Sequence, residues 1–414
     1  MGFHAWPPTF PHRVAAAAVS ERAGPNMRVS KSTETTAGQR LDGKRRWGRS
    51  RPVVTAHSET CQRAGESGSP SSESRDTGLG DRGARRQLAG ARTAIEPVLR
   101  AAVNSLAEPL DRMASYHFGW CDEHGTAIEG KQGKALRPAL TFAAAAACGE
   151  AGENAVYAAA AVELLHNFSL VHDDVMDTDP MRHGRPTVWR IWGETNATLL
   201  GDALQALALG VLSDGMPDEV CAEAVIRLAR ATVTLCRGQY EDCAFETRAT
   251  VSVDEYLNMA AGKTGALLGC ACALGALCAG ADHRVVSAMH TFGNQLGLVF
   301  QLVDDAIDIW GDPAVTGKPA HSDLLHRKQS FPVVCALSSG TAPGRELARM
   351  YASRQPMTAA RAAHAADLVE AAGGRQRTLV RAATALDAAL GALPPEIDAT
   401  DLTALAQLVA NRDR

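Results

Sequence analysis

The chain has 414 residues, 46% of them hydrophobic, 21% charged and 5% aromatic, with a formal net charge of −4. That apolar content excludes global disorder, and the small net charge argues against a nucleic-acid footprint over the chain as a whole. Ten cysteines show no Cys-x-x-Cys spacing. Zinc and disulfide frameworks are therefore not indicated, and a reducing compartment, the cytoplasm, is expected.

Residues 1–90 hold 15 Lys and Arg against 8 Asp and Glu. Residues 1–85 are rich in Gly, Ser, Pro and Arg and lack a sustained apolar period. They are expected to form a disordered N-terminal extension, or to reflect a start codon set too far upstream. The apolar run Val14–Val19 is too short for a signal peptide. Glu21, Glu34, Asp42, Glu59 and Glu66 argue against an acid-poor transit peptide.

From Gln87 onward the texture is uniform. Ile95, Val98, Leu99, Ala102, Val103, Leu106 and Leu110 recur at helical spacing. Similar segments follow at about 136–148, 153–176, 194–213, 218–246, 263–280, 283–310 and 321–338, then in several stretches up to 412, with Gly and Pro between them. No run of alternating β-branched residues competes, so residues 86–414 are predicted to form one large all-α domain. Alanine tracts such as Ala143–Ala147 and Ala158–Ala161 suit close helix contacts in a bundle. Thr264–Ala281 and Val285–Val303 lack Asp, Glu, Lys and Arg. Glycines punctuate the first, and His290, Asn294, Gln295 and Gln301 interrupt the second, so both are predicted to be core helices and no membrane span is expected.

His172-Asp173-Asp174-Val175-Met176-Asp177 ends the apolar segment beginning near Ala161. Asp173 and Asp177 share one helix face at about 6 Å, where their repulsion amounts to roughly 3 kcal/mol at an effective dielectric near 20. A single such cluster reads as a solvated helix end. A second, Asp304-Asp305-Ala306-Ile307-Asp308, ends the apolar segment Phe292–Val303. Two clusters of unpaired acids on buried helices destabilise a fold unless cations sit between them, and oxygen ligands that leave room for water and phosphate suit Mg²⁺. Lysine usage points the same way. The chain has seven lysines, and Lys131, Lys134, Lys263 and Lys318 each follow a glycine, a natural setting for a phosphate ligand that Arg does not replace.

Gly133-Lys134-Ala135-Leu136-Arg137-Pro138, the first Asp cluster followed by Arg182-His183-Gly184-Arg185-Pro186-Thr187, Gly238-Gln239-Tyr240-Glu241-Asp242, Lys263-Thr264 and Phe300-Gln301-Leu302-Val303-Asp304-Asp305 occur in this order. Together they resemble the trans-isoprenyl diphosphate synthases (polyprenyl synthetases), across about residues 90–414. The resemblance implies an all-α fold around a central cavity, usually in a homodimer, and condensation of isopentenyl diphosphate with an allylic diphosphate. By the same resemblance, Asp173 and Asp177 would hold Mg²⁺, three ions per site, with Asp304 their counterpart on the opposite wall. Asp308 joins them less directly, as do Asp174 and Asp305. Lys134, Arg137 and His166 match the positions that hold isopentenyl diphosphate, and His183 stands where the family usually has a further Arg. Arg182, Lys263, Thr264, Gln301, Lys318 and Lys328 match those around the allylic diphosphate. Gln239 and Asp242, in the Gly238–Asp242 motif, are either part of the site or polar residues that merely line the cavity. Ser330 replaces a frequent Thr, and the loop before Gly133 lacks the usual glycine run.

An aromatic at Phe168 beside the small Ser169, with no insertion in the first Asp cluster, resembles synthases that stop at geranylgeranyl diphosphate (C20). Farnesyl diphosphate (C15) is the next reading and longer products the third. A bare helical wheel turns Phe168 away from Asp173. A terpene cyclase would need no second diphosphate site, and a non-catalytic partner subunit should have lost acids from one cluster. Lys134, Arg137 and His166 argue against the first, and the two intact clusters against the second.

Overall fold

A computed structural model of the chain describes residues 72–412 apart from 129, 131–132, 150–154, 313–320 and 354. The expected all-α fold is what is observed. Helix α1 (Ser72–Val103) buries Ala84, Ala91, Ile95, Leu99 and Val103, an inner stripe at four- and seven-residue spacing. The boundary expected at residue 85 therefore falls inside a helix, because Ala84 already belongs to the core. The remainder of the expected extension, residues 1–71, lies outside the described residues.

Helices α2 (Leu110–His117), α3 (Leu136–Ala147) and α4 (Ala155–Met176) follow. A short antiparallel hairpin, β1 (Met181–Arg182) with β2 (Arg185–Pro186), pairs Met181 with Pro186. Next come α5 (Val188–Trp192), α6 (Glu194–Gly215), α7 (Asp218–Phe245) and α8 (Val253–Ala260). A π-helical turn, Ala261–Gly265, joins α8 to α9 (Ala266–Cys278), and α10 (His283–Trp310) comes after it. The chain continues through α11 (Ser322–Leu325), α12 (Phe331–Leu337), α13 (Ala342–Ala352), α14 (Ala359–Ala371), α15 (Gly374–Ala392) and α16 (Thr400–Ala410).

Local chemistry sets several of these boundaries. Ser252 and Glu255 form a reciprocal capping box at the start of α8, and the Asp282 carboxylate accepts from the Val285 N–H at the start of α10. The single stretch expected at 263–280 begins earlier, at Val253. That at 321–338 is two helices, because the chain between them turns back to bring Lys328 inward.

Helix α9 is the axis of the bundle. Every one of its residues is buried, with α3, α4, α7 and α10 packed around it. Small residues permit this closeness: a Cβ on Gly275 would lie 2.1 Å from the Thr141 carbonyl oxygen of α3. The span Val253–Cys278 is long and apolar enough to cross a membrane, yet 89% of its apolar window is buried inside the protein. It is a core helix, as expected. A smaller apolar cluster, which includes Ile309, Leu324, Val333, Leu347 and Val369, lies under α11–α14. The arrangement leaves the C-terminal ends of α4 and α10, the π turn and the α11–α12 loop as the polar part of an otherwise apolar bundle.

Candidate active site

Each aspartate cluster ends its helix as expected. Asp177 closes the last turn of α4, its N–H donating to the Asp173 carbonyl at 2.8 Å, before Thr178 breaks the helix with φ 54°. Spacing i, i+1, i+4 turns the middle acid away from the other two. Asp174 is accordingly 1% exposed and receives the Arg182 guanidinium, Nη2 at 2.6 Å and Nε at 2.8 Å. Among the described residues neither Asp173 nor Asp177 has a side-chain partner. Burial pushes the Asp173 carboxyl up to about 6, Lys263 opposing that shift and Asp177 adding to it.

On α10 the middle acid is again the buried one. Asp305 accepts from the Tyr256 hydroxyl, from the Phe331 N–H at 2.7 Å and from Gln301 Nε2 at 2.9 Å. Thr264 Oγ1 donates in turn to Gln301 Oε1 at 2.8 Å. Burial nevertheless pushes Asp305 up to about 6, because all three donors are neutral and only partly offset the lost hydration. Asp304, beside it, is paired with Arg412 at 3.1 Å.

Between the walls stand two lysines. The π turn widens the helix by one residue and aims Lys263 into the site, a frequent use of such turns. Gly238 of α7 makes room, since a Cβ there would lie 2.2 Å from the Lys263 backbone nitrogen. Lys263 Nζ donates to Asp242 Oδ2 at 2.6 Å. Burial opposes the ammonium charge, but Asp242 and Asp173 hold it above its ordinary range. Lys328 sits on the α11–α12 loop, which Gln329 fastens to the end of α7 by donating to the carbonyls of Phe245 and Arg248 at 3.0 and 2.7 Å. Burial disfavours its charge too, yet Asp242, Asp323, Asp177 and Asp305 together raise it. Lys263, Lys328, Asp242, Asp305 and Gln329 line a cavity of about 190 Å³ with Gln301, Asp304, Asp308 and Ser330.

A second cationic group gathers at the hairpin side of α4. Lys134 is exposed just before the N-terminus of α3, and Arg137 lies in its first turn. Burial lowers His166 well below the ordinary imidazole range, and Arg137, Arg182, His117 and His183 add to that. His183 occupies the hairpin turn with φ 53°. The fold thus brings Lys134, Arg137, His166 and His183 to one region, and Asp173, Asp177, Asp304, Asp308, Lys263, Thr264, Gln301 and Lys328 to another, with Arg182 between them, close enough to act on both His166 and Asp173. Lys318 lies outside the described residues. Phe168 is 5% exposed in the core, edge-on to His172 at 4.9 Å, and the Ser169 hydroxyl donates to the His166 carbonyl at 2.8 Å.

Among the described residues no three His, Cys, Asp or Glu side chains converge closely enough to cage a cation unaided. What fits instead is the donor chemistry: oxygen-only carboxylates on two walls, with lysines between to receive an anion. Such sites bind Mg²⁺ with water and phosphate completing the ligand shell.

Residues 119–369 match the family model described as polyprenyl synthetase. The chain belongs to that family. It is a prenyltransferase, a trans-prenyl diphosphate synthase. The chain is 50% identical over 327 residues to a geranylgeranyl diphosphate synthase of Mycobacterium tuberculosis, covering 79% of this chain and 93% of the relative. It is 46% identical over 285 residues to a (2E,6E)-farnesyl diphosphate synthase of the same species, covering 68% and 79%. The crystal structure of a polyprenyl synthetase from Streptomyces coelicolor A3(2) superposes with a TM-score of 0.75 at 44% identity, over 78% of this chain and 98% of that one.

Several residues of this polyprenyl synthetase site escaped the sequence reading. Arg92 of α1 donates to the Gly133 carbonyl at 2.5 Å and so steadies the loop that carries Lys134. His117 Nε2 meets the Asn167 amide oxygen at 3.0 Å, and Asn167 Nδ2 donates to the Glu163 carbonyl at 2.8 Å. An amide oxygen only accepts, so that ring nitrogen carries the proton. Arg185 lies over the Tyr116 ring at 3.9 Å and donates to the carbonyls of Tyr116 and Cys121 at 3.0 and 2.8 Å. It fastens the hairpin that presents Arg182 and His183. Tyr256 and Arg412 complete the set. The four-residue spacing of Gln239 and Cys243 beside Asp242 marks the α7 face, but nothing in sequence pairs Asp242 with Lys263.

Proposed function

We propose that this chain joins isopentenyl diphosphate head to tail to an allylic diphosphate, giving all-trans geranylgeranyl diphosphate (C20). Farnesyl diphosphate (C15) is the second reading. The observation that carries the proposal is the separation of the cations into two groups. Lys263 and Lys328, with Thr264, Gln301 and Arg182, suit the diphosphate that leaves, and Lys318 is assigned with them. Lys134, Arg137, His166 and His183 suit the diphosphate that stays. A cyclase would need only the first group. The higher identity to the tuberculosis geranylgeranyl diphosphate synthase supports C20, and the farnesyl diphosphate synthase keeps C15 open.

Mg²⁺, which we assign as three ions to Asp173, Asp177, Asp304 and Asp308, would supply charge neutralisation to the departing diphosphate. Lys263 is held by Asp242 at a fixed point, so its ammonium can meet that anion without reorganising. Phe168, Leu302 and the apolar walls of α4, α7 and α10 keep water from the allylic cation. The isopentenyl double bond attacks it, and a proton then passes to the released diphosphate. An anion beside His166 would oppose the lowering that burial and its cationic neighbours impose on the imidazole.

A homodimer is the proposed assembly. Ile226, Val233 and Tyr240 recur every seven residues along α7 and are 49%, 71% and 74% exposed, with Leu199 of α6 at 53%. An apolar stripe of that kind is self-complementary in a two-fold interface. A cytoplasmic location fits the cysteines, which are free among the described residues. Incubating purified protein and Mg²⁺ with isopentenyl diphosphate and each of dimethylallyl, geranyl and farnesyl diphosphate tests the proposal. C20 is expected from all three, and no elongation of any primer would overturn it.

A further inference from the structure

The C-terminal helix α16 packs against α1, α3, α10 and α15, and Gln87 Nε2 of α1 donates to Asp401 Oδ1 near its start at 2.6 Å. Just past its other end, Arg412 reaches back to α10. Its guanidinium lies 3.7 Å from the centre of the Phe300 ring, Nη2 donating to the Phe300 carbonyl at 2.9 Å and to Asp304 Oδ1 at 3.1 Å. The Arg412 side chain is 12% exposed and that of Asp304 40%. Ring stacking, a carbonyl and a carboxylate fix one planar cation along a single turn of α10, which a lysine could not reproduce.

The consequence concerns the outermost acid of the second cluster. Asp304 Oδ1 takes a cation from the chain itself, whereas Asp173 and Asp177 on the opposite wall carry none from a side chain among the described residues. We propose that Arg412 is a resident counter-cation of the second aspartate cluster, a positioning residue that a divalent cation must displace from Asp304. The inference rests on the reading of Asp304 as a metal ligand. Arg412 then has two effects of opposite sign. It relieves repulsion among Asp304, Asp305 and Asp308 in the empty protein, and it weakens metal binding by competing for the same oxygen. Loading the second cluster is thereby coupled to release of the last turn of the chain.

The experiment is Mn²⁺ binding followed by electron paramagnetic resonance in the presence of inorganic diphosphate, on the full chain and without turnover. Arg412→Met keeps the length of the side chain and removes its charge, and should bind Mn²⁺ about five- to tenfold tighter, the scale of one partly exposed ion pair. Arg412→Lys should fall between it and the wild type. Unchanged or weaker binding in Arg412→Met would overturn the proposal. Asp304→Asn separates the two readings: if it binds Mn²⁺ as well as wild type, Asp304 is not a ligand and the assignment of the second cluster fails. If Asp304→Asn loses affinity while Arg412→Met gains none, the assignment stands and the counter-cation falls. Should Arg412→Met not fold, amide exchange in the wild type decides, since residues 409–412 should exchange faster with Mn²⁺ and diphosphate than without. Equal or slower exchange would overturn the proposal.

Discussion

The two aspartate clusters share one spacing and end two helices of the same bundle, yet their surroundings differ in kind. In each, the middle acid is buried, Asp174 at 1% and Asp305 at 4% exposure, and the acids on either side of it are more exposed. Asp174 is matched by a guanidinium, whereas Asp305 is matched by a hydroxyl, a backbone N–H and an amide. Asp304 in turn has Arg412, while among the described residues Asp173 and Asp177 have no side-chain partner. The spacing is therefore a way to anchor one carboxylate in the core and present two on one face. What balances the charge on each wall is decided by residues outside the motif.

The largest effect expected is on turnover. If both walls bind metal, Asp173→Ala and Asp304→Ala should each lower kcat by at least about a hundredfold, the scale of losing one preorganised electrostatic contact. Circular dichroism and melting temperature should stay near wild type, because both acids are partly exposed. Near-normal turnover in either variant would break the symmetry of the two walls and with it the assignment of that cluster.

The anchors should differ in stability. Arg182→Met leaves Asp174 buried without a counter-charge and should cost about 3 kcal/mol, the lower end for a broken buried pair because Arg182 is partly exposed. Asp305→Asn should cost less, on the order of 1 kcal/mol, since an amide can still accept from Tyr256 and Phe331. Gln301 would have to turn over to accept from the new amide, which Thr264 tolerates because a hydroxyl both donates and accepts. Urea titration of the two variants checks the order, and equal losses would show that the kind of partner does not matter.

The same contrast predicts a pH dependence. Asp305 stands at about 6 in the folded protein, above the ordinary value of about 3.9 for an unfolded Asp. The folded state thus binds more protons between those values, so stability should fall as pH rises from about 4 to about 6. Asp173, also at about 6, contributes in the same direction. In metal-free buffer Asp305→Asn should make that slope shallower without abolishing it, since burial also raises Asp174 and Glu163. A slope unchanged in the variant would show that the Tyr256, Phe331 and Gln301 donors stabilise the ionised form more than burial opposes it.

How much of this was legible beforehand follows from sequence distance. Helices, the apolar stretches and both aspartate clusters lie within a few turns of chain, and periodicity reveals them. Lys134 with Arg137, and Lys263 with Thr264, are equally local. Arg412 and Asp304 are 108 residues apart, Gln87 and Asp401 are 314 apart, and Arg92 and Gly133 are 41 apart. No spacing rule connects such pairs, so the anchors of the site were invisible although its ligand candidates were not. Helix α1 begins upstream of Gln87, where the apolar period starts, and Ala84 is already buried in the core, which the polar, glycine-containing sequence around it does not signal.

The smallest effect on turnover is expected at Phe168, where the comparison of walls extends from the charged end of α4 to its apolar stretch. Phe168 lies five residues before Asp173, about 7.5 Å along the axis at 1.5 Å per residue. Its ring meets His172 edge-on, and His172 Nε2 makes a contact of 2.9 Å with the Thr198 carbonyl of α6. Gly201 makes that possible, because a Cβ there would lie 2.1 Å from His172 Nε2. Phe168 and His172 thus form one aromatic step against α6, stiffened from both sides, while Ser169 next to it adds almost no bulk. If that step limits the depth open to the growing chain, Phe168→Ala should shift products from C20 toward C25 and longer with little loss of turnover. The deleted ring should also cost about 3 kcal/mol of stability as a cavity. Product chromatography after incubation with farnesyl diphosphate reads the shift. A wild-type distribution from a folded Phe168→Ala enzyme would place the floor elsewhere and leave Phe168 as core packing between α4 and α6.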